Sequence, residues 1–240
     1  MLLLRIIFLL TFTYANIKAF PTDIRHLRFI TEPSAVIIYD KNSEKLQGIV
    51  GERIQLLIKK IGIVNKVEIL PWSRAYYEAV KHKNVAIFPI AKTKERENQL
   101  KFCCVIYKSR QFFFKLKSRK DIRIQKITDA KKFSIGVVRD DYRFDALVKI
   151  GFSNFEVATT MDTNFKKFIG NREDVILLSE ISMKKYLLQN NMTINDVEKL
   201  IEFKDVDSNN YIAFNKEIED SIIETVKNAL KEICNPEKDF

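Results

Sequence analysis

Apolar residues recur along the chain in two patterns, which predict alternating strands and helices. Short apolar runs at 27–30, 67–70 and 85–88 are bounded by polar residues, as is typical of buried strands. Between the first two runs, apolar residues within 51–61 follow the helical spacing of three and four residues. This β-α-β-α-β order predicts a sheet with helices on both faces.

A second unit of the same kind begins near residue 127. Its pattern predicts strands at 133–138, 155–158 and 175–178 and helices near 128–130 and at 141–150, 162–169 and 181–189. Between the two units, an aromatic run at 110–117 suits a strand that leads from one half into the other. The chain returns through 201–204 and 211–214 and ends in an amphipathic helix at 217–233. We therefore predict an α/β protein with two similar halves.

Composition and charge limit the class of protein. The chain has 240 residues, enough for one large or two small domains, and its 5 Pro and 6 Gly argue against a low-complexity linker. The formal net charge is +10, but lysines are scattered among acids, without an arginine-rich arm. We expect solvated faces, or attraction to anionic ligands and membrane surfaces, and no nucleic-acid partner.

The N-terminus carries an apolar run from Ile6 to Ala15, after the early cation Arg5. This run is about half of the roughly 20 residues that a membrane span needs, and Ala15 and Ala19 offer small-residue cleavage sites. We predict a cleaved secretory signal over residues 1–19 and hence a periplasmic protein. The alternatives are an uncleaved anchor and a buried first helix.

Three cysteines, Cys103, Cys104 and Cys234, leave at least one thiol without a disulfide partner. Cys103 and Cys104 lie in an apolar strand-like run, and neighbouring cysteines could bridge each other only with strain, so we interpret both as small core residues. A bridge from either one to Cys234 is the alternative. The sequence has no C-x-x-C motif or histidine pair, so we expect neither a metal site nor a cofactor.

The segment 71–97 carries the most informative functional pattern. A Pro71-Trp72-Ser73-Arg74-Ala75 turn opens a helical run to Lys83, a buried strand follows, and Thr93-Lys94-Glu95-Arg96-Glu97 forms a polar loop with an arginine at its tip. This order of elements presents a cation beside the carboxyl ends of parallel strands. Open α/β sheets bind their ligands there.

Several segments, in their order and spacing, resemble the extracytoplasmic solute-binding proteins of the polar amino acid type, family 3 of the ABC-transporter receptors. These segments are Leu27-Arg28-Phe29-Ile30-Thr31-Glu32, Leu46-Gln47-Gly48, the two motifs within 71–97, Ile135-Gly136-Val137-Val138-Arg139-Asp140-Asp141-Tyr142 and Asp174-Val175-Ile176-Leu177-Leu178-Ser179-Glu180. The resemblance covers Leu27 to about Lys231. It implies a type II periplasmic-binding-protein fold, with a mostly parallel sheet flanked by helices in each lobe and two crossover strands at the hinge. Residues 20–109 and 208–240 would form lobe one, and 110–207 lobe two.

The resemblance also implies that lobe closure clamps a small polar solute, without covalent chemistry, for delivery to the membrane permease of an ABC transporter. Arg96 falls where the family places an arginine that grips the ligand's carboxylate, a task that suits the guanidinium fork. The alternative is an exposed arginine paired with Glu95 or Glu97. Glu32 is either a cleft-rim acid or a solvated loop acid. Trp72 is either a cleft wall or a hydrophobic plug against the helix that follows it.

In lobe two, Arg139, Asp141 and Tyr142 are cleft candidates at a helix start, where backbone N–H groups bind anions well. The family commonly has Gly-Thr where this chain has Asp140-Asp141, so we first interpret Asp141 as an N-cap. Ser179 and Glu180 are the remaining candidates. Ser179 stands where the family commonly carries the aspartate that holds an α-ammonium, and Glu180 could substitute only if the strand end rotates.

These departures, together with Pro89 and Ala91 in place of small hydroxyl residues, argue against a standard α-amino acid as the ligand. We expect a carboxylate-bearing or otherwise anionic small solute in a basic cleft, bound by a monomer that is not an enzyme. One alternative is a sensing or interaction protein with a degenerate cleft. Another is a dehydratase-like enzyme on the same scaffold, which would need Glu32 or Glu180 as its acid.

Overall fold

The computed structural model describes residues 24–40, 42–207 and 209–233. Its α-helices are α1 (Ile49–Ile61), α2 (Trp72–Lys81), α3 (Lys94–Glu97), α4 (Ile127–Ala130), α5 (Tyr142–Lys149), α6 (Met161–Ile169), α7 (Glu180–Gln189) and α8 (Asp220–Ile233). Its strands are β1 (Arg28–Thr31), β2 (Ile38–Asp40), β3 (Lys45–Gln47), β4 (Glu68–Ile69), β5 (Val85–Ala91), β6 (Leu100–Lys108), β7 (Gln111–Leu116), β8 (Ile135–Val138), β9 (Phe155–Ala158), β10 (Val175–Leu178), β11 (Val197–Phe203) and β12 (Asn209–Asn215). The predicted alternation of strands and helices is confirmed.

Ten of these strands form two five-stranded sheets, in the orders β4-β1-β5-β12-β6 and β11-β7-β10-β8-β9. In the first sheet, β1 runs parallel to β4 and β5, while β12 runs antiparallel to β5 and β6. In the second, β8 runs parallel to β9 and β10, while β7 runs antiparallel to β10 and β11. In each sheet four of the five strands therefore run in the same direction and one, β12 or β7, runs against them, so the expectation of mostly parallel sheets is confirmed. Parallel pairs need a crossover helix, and β7 and β12, which the chain enters directly from the other sheet, have none before them.

The sheets divide the chain as the two predicted lobes would. Strands between residues 28 and 108, together with β12, form the first sheet, and strands between 111 and 203 form the second. The chain passes between sheets after β6 and again after β11. The lobe limits stay a prediction, and all ten strands lie inside them.

Alternating side chains of each sheet support a core on both faces. In the first sheet, Phe29 packs with the group under α1 and α8, whereas its neighbour Ile30 packs with the group under α2. In the second, Phe112 and Phe114 face α6 and α7, whereas Phe113 faces the group around Leu147 of α5. Helices therefore cover both faces of both sheets. This packing holds in place the strand ends that border the cleft between the two sheets.

Cys103 and Cys104 form a disulfide with each other on β6, so the interpretation of two core thiols is wrong. The strand pairing gives the reason: Tyr211 pairs with Val105 and Ala213 with Phe102, which leaves one residue of β12 opposite both cysteines. Such a β-bulge relaxes the rule that neighbouring side chains point to opposite faces. The alternative partner, Cys234, lies outside the described residues.

The proposed signal over residues 1–19, with its cleavage sites, also lies outside the described residues. In the part of the chain that the structure describes, no helix combines the length and the apolar character that crossing a membrane requires.

Candidate functional site

Two adjoining cavities lie between the sheets, with volumes of about 130 Å³ and 480 Å³. Both are lined by Glu32, Ser34 and Trp72 from the first lobe and by Asp141 and Arg143 from the second. The smaller volume approaches the roughly 150 Å³ at which an engineered cavity admits benzene. The larger falls within the range of roughly 300–1,000 Å³ that is usual for small-molecule sites. The cleft therefore has room for a small solute in contact with both lobes.

Arg96 lies in this cleft because the segment that we expected to be a polar loop is the short helix α3. Thr93 caps α3 by accepting a hydrogen bond from the backbone N–H of Arg96 at 3.2 Å. This turn directs the guanidinium back over the end of β5, where its Nη1 donates to the Ala91 carbonyl at 3.0 Å. The residue is only 6% exposed. The alternative of an exposed arginine is therefore wrong.

Aromatic rings rather than acids surround the Arg96 guanidinium. Its central carbon lies 5.0 Å from the ring centroid of Trp72, 5.6 Å from Tyr76 and 5.7 Å from Tyr142. Such cation–π contacts partly replace the water that burial removes. Among the described residues, no carboxylate lies within ion-pair distance of this arginine. Burial lowers the pKa of Arg96, and the more distant charge of Asp141 opposes that shift.

Trp72 combines both roles that the sequence left open. It lines both cavities, and its ring also stacks on Tyr76 of the same helix with centroids 6.0 Å apart. Because α2 begins at Trp72, the ring stands at the mouth of the first lobe rather than in its core.

Glu32 follows β1 and lines both cavities. The residue is partly exposed, but its carboxyl group is far enough from bulk water that desolvation raises its pKa to about 7. The nearby Asp141 raises the pKa further, while Arg143 counteracts both effects. Across the described ranges, no cation pairs directly with Glu32, so this acid and Arg96 are charges of the cleft that are shielded from bulk water and have no ion-pair partner.

Asp141 and Arg143 form a self-contained pair on the opposite wall. Asp141 is the N-cap of α5, as expected, and accepts from the backbone N–H and the Nε of Arg143, both at 2.8 Å. Arg143 also donates to Gln111 Oε1 and the Leu177 carbonyl, each at 3.3 Å. Burial alone would raise the pKa of Asp141, but the adjacent guanidinium outweighs it and the pKa is lowered. Arg143 was not predicted as a site residue, because its only signal in the sequence is a cation two residues after a capping acid.

The other candidates of the second lobe divide into two groups. Arg139 is exposed and lines the larger cavity, whereas Tyr142 and Ser179 line the smaller one. Burial raises the pKa of the Tyr142 hydroxyl to about 12. Glu180 lines neither cavity; its exposed carboxylate pairs with Lys199 at 2.8 Å. Including Glu180 in the site was wrong, because Ser179 takes the capping position of α7 and Glu180 turns outward as the first helical residue.

The cleft is not basic, contrary to our expectation. Its described lining contains the acids Glu32, Asp140, Asp141 and Asp162 and the arginines Arg96, Arg139 and Arg143. Among the described residues, no lysine lines either cavity, so the positive net charge of the chain does not arise from the cleft lining. A preference for an anionic group would then come from individual guanidinium groups, Arg96 and the exposed Arg139, rather than from a general positive potential.

No protein family model and no curated protein matches the chain. Several solved structures are similar to it in fold. An ancestral arginine-binding protein bound to arginine has a TM-score of 0.70 at 19% identity, over 86% of this chain and 91% of that one. The substrate-binding protein of an amino acid ABC transporter has a TM-score of 0.69 at 20% identity, over 86% and 92%. A histidine kinase sensor domain similar to periplasmic binding proteins reaches 0.75 at 11% identity, over 88% and 91%.

The chain therefore has the two-lobed fold of the periplasmic binding proteins, and the predicted fold class is confirmed. At these identities the likeness concerns the fold. The ligand and the membrane partner have to be argued from the cleft.

Proposed function

We propose that this chain is an extracytoplasmic solute-binding protein of family 3, which captures a small polar solute with an anionic group, most simply a carboxylate, between its lobes. The observation that carries this proposal is the buried guanidinium of Arg96. It faces a cavity lined by both lobes, and in the described part of the chain no acid pairs with it. A buried charge is costly unless an opposite charge and hydrogen bonds compensate it. A ligand carboxylate would supply both through the guanidinium fork.

The neighbouring polar groups support capture of a small, hydrogen-bonding solute. The hydroxyl of Ser34 lines both cavities and is buried without a hydrogen-bond partner among the described residues. Such groups are stabilised when a ligand or water bonds to them. Glu32 offers an acceptor on the same wall, which suits a solute that also carries a donor or a cationic group.

We propose delivery to a membrane permease as the role of the bound solute, without chemical conversion. The amino acid receptors among the structural neighbours support this role. The similar sensor domain of a histidine kinase supports signalling as a second candidate. Uptake of the radiolabelled solute by cells that lack the protein separates them. Transport predicts lost uptake, whereas signalling predicts normal uptake with a lost transcriptional response.

Thermal unfolding of the purified protein against a panel of solutes tests the capture proposal. The panel contains amino acids, opines, dicarboxylates, short peptides and, as ligands without a carboxylate, polyamines. A solute at about 100 times its dissociation constant adds roughly 2.7 kcal/mol, or about 5–10 °C in Tm for a chain of this size. A shift with polyamines alone would contradict the anionic ligand, and no shift with any class would contradict solute capture.

A further inference from the structure

The backbone carbonyl of Asp140 is a hydrogen-bond acceptor for side chains of the opposite lobe. Asp140 lies between β8 and α5, at the edge of the cleft. Trp72 donates to this carbonyl through Nε1 at 3.2 Å, and Arg96 directs Nη2 at it from 3.5 Å. Two side chains of the first lobe therefore converge on one acceptor of the second.

A further contact joins the same residues across the cleft. The ring of Tyr142, two residues beyond Asp140, lies under the Arg96 guanidinium at 5.7 Å. Arg96 is itself fixed on the first lobe by its bond to the Ala91 carbonyl and by Trp72 and Tyr76. Every member of this set belongs to the chain, so the set needs no solute in order to form.

We propose that Trp72, Arg96, the Asp140 carbonyl and Tyr142 form a closure latch, which holds the two lobes together even without a bound solute. A solute then binds a protein that closes by itself, and Arg96 serves both the latch and the proposed ligand. Loss of a single neutral hydrogen bond should shift the closed-to-open ratio toward open by roughly 2–10-fold.

The conformation of Asp140 allows the latch to be tested without replacing any residue that lines the cavities in the first lobe. Its φ of 61° lies in the left-handed region, which directs the carbonyl toward Trp72 and Arg96. Asparagine tolerates this region, whereas a β-branched residue does not. Asp140→Asn should therefore keep the carbonyl in place while removing the charge, and Asp140→Val should turn the carbonyl away. Asp140 is exposed, so neither change disturbs the core.

Small-angle X-ray scattering of protein dialysed free of small molecules measures closure directly. We expect the wild type and Asp140→Asn to match the scattering curve of the closed structure, and Asp140→Val to show a larger radius of gyration. Trp72→Phe, which keeps a ring but removes the Nε1–H donor, should also show a larger radius. Circular dichroism checks that each variant is folded, and if Asp140→Val is not, Trp72→Phe decides alone.

Two results would overturn the latch: a wild type that scatters as an open molecule, or folded Asp140→Val and Trp72→Phe variants with the wild-type radius. The measurement uses no solute, so its outcome is independent of the proposed binding function.

Discussion

Two arginines project into the same cleft, and their surroundings differ. Arg143, on the second lobe, has Asp141 beside it and donates to Gln111 and a backbone carbonyl. Arg96, on the first lobe, lies among three aromatic rings, and within the described ranges no acid pairs with it. Burial alone therefore does not mark a ligand-binding arginine. The compensation of its charge does, and on this criterion the first lobe holds the solute while the second provides a wall whose buried charges, Asp141 and Arg143, are already paired.

The largest effect is expected for Arg143, whose replacement tests whether its charge is needed to compensate Asp141. Replacing it in Arg143→Met should cost about 3 kcal/mol of unfolding free energy, because Asp141 keeps its place in the cleft without its counter-ion. Urea unfolding measures this loss. The double variant Arg143→Met/Asp141→Asn, in which no charge is left unpaired, should recover much of it. A loss below about 1 kcal/mol for the single variant would show that the pair is not structural.

Glu173 extends the comparison to an uncompensated acid outside the cleft. It is 2% exposed, lies against Gly136, and both its carboxylate oxygens are without a hydrogen-bond partner in the described structure. Desolvation raises its pKa to about 8. Because the folded state then holds a proton that the unfolded state releases above its ordinary pKa, stability should fall as the pH rises from about 4.5 to about 8.

The slope expected for Glu173 is about 1.4 kcal/mol per pH unit. Unfolding free energies at pH 5, 6.5 and 8 should show this slope in the wild type and a smaller one in Glu173→Gln. Glu52→Gln, which changes an exposed glutamate of α1, is the control and should keep the wild-type slope. Equal slopes in all three proteins would contradict the buried, protonated carboxyl group.

Glu32 should make solute binding depend on pH. Its pKa of about 7 means that the carboxyl group is mostly protonated at pH 6 and mostly ionised at pH 8. For a solute with a cationic group against Glu32, affinity should rise by up to about tenfold between these pH values. Calorimetric titration at both values measures the change, and Glu32→Gln should remove it. A solute whose affinity does not change with pH in the wild type would exclude this contact.

The smallest expected effect concerns Ser179, whose hydroxyl caps α7 by accepting from the Ser182 N–H at 3.2 Å. Ser179→Ala should cost about 1 kcal/mol of stability and leave solute affinity nearly unchanged. Ser179→Asp keeps a good capping residue and adds an acid to the smaller cavity. It should improve binding of α-amino acids relative to their deaminated analogues. Weaker binding of α-amino acids by this variant would contradict the prediction that Ser179 stands where related receptors carry the aspartate that holds the ligand's α-ammonium group.

Sequence reasoning predicted the elements well because periodicity records which side chains are buried. Runs such as 85–88 and the amphipathic face of α8 predicted two similar α/β halves, and the family resemblance implied the two-lobed arrangement. It failed where an outcome depends on pairing across the chain. The disulfide between Cys103 and Cys104 depends on the bulge in the pairing of β6 with β12. Which strand of each sheet runs against the others depends on where the chain crosses between the sheets.

The residues that line the cleft were predicted in part for the same reason, while their roles in binding stay a prediction. Arg96, Glu32 and Trp72 follow strands or begin helices at the cleft edge, so their positions could be inferred from local order. The balance of charge in the cleft could not be inferred in this way, because Asp162 and Arg143 line the cavities only as a result of the tertiary fold. Glu180 was wrongly predicted to face the cleft. It follows the capping residue Ser179 by one position, and at the start of a helix that one position is enough to turn its side chain to the surface.

The most direct test of the central claim is a calorimetric titration of the wild type, Arg96→Ala and Arg172→Ala with the solute that raises Tm in the panel. Arg172 is an exposed arginine of the second lobe that lines neither cavity, so it controls for the loss of one positive charge. We predict that Arg96→Ala weakens binding by about 100-fold, since a bidentate, charge-assisted contact is lost, and that Arg172→Ala binds as the wild type does. Binding by Arg96→Ala within about threefold of the wild type would contradict the account, because the solute would then be held elsewhere.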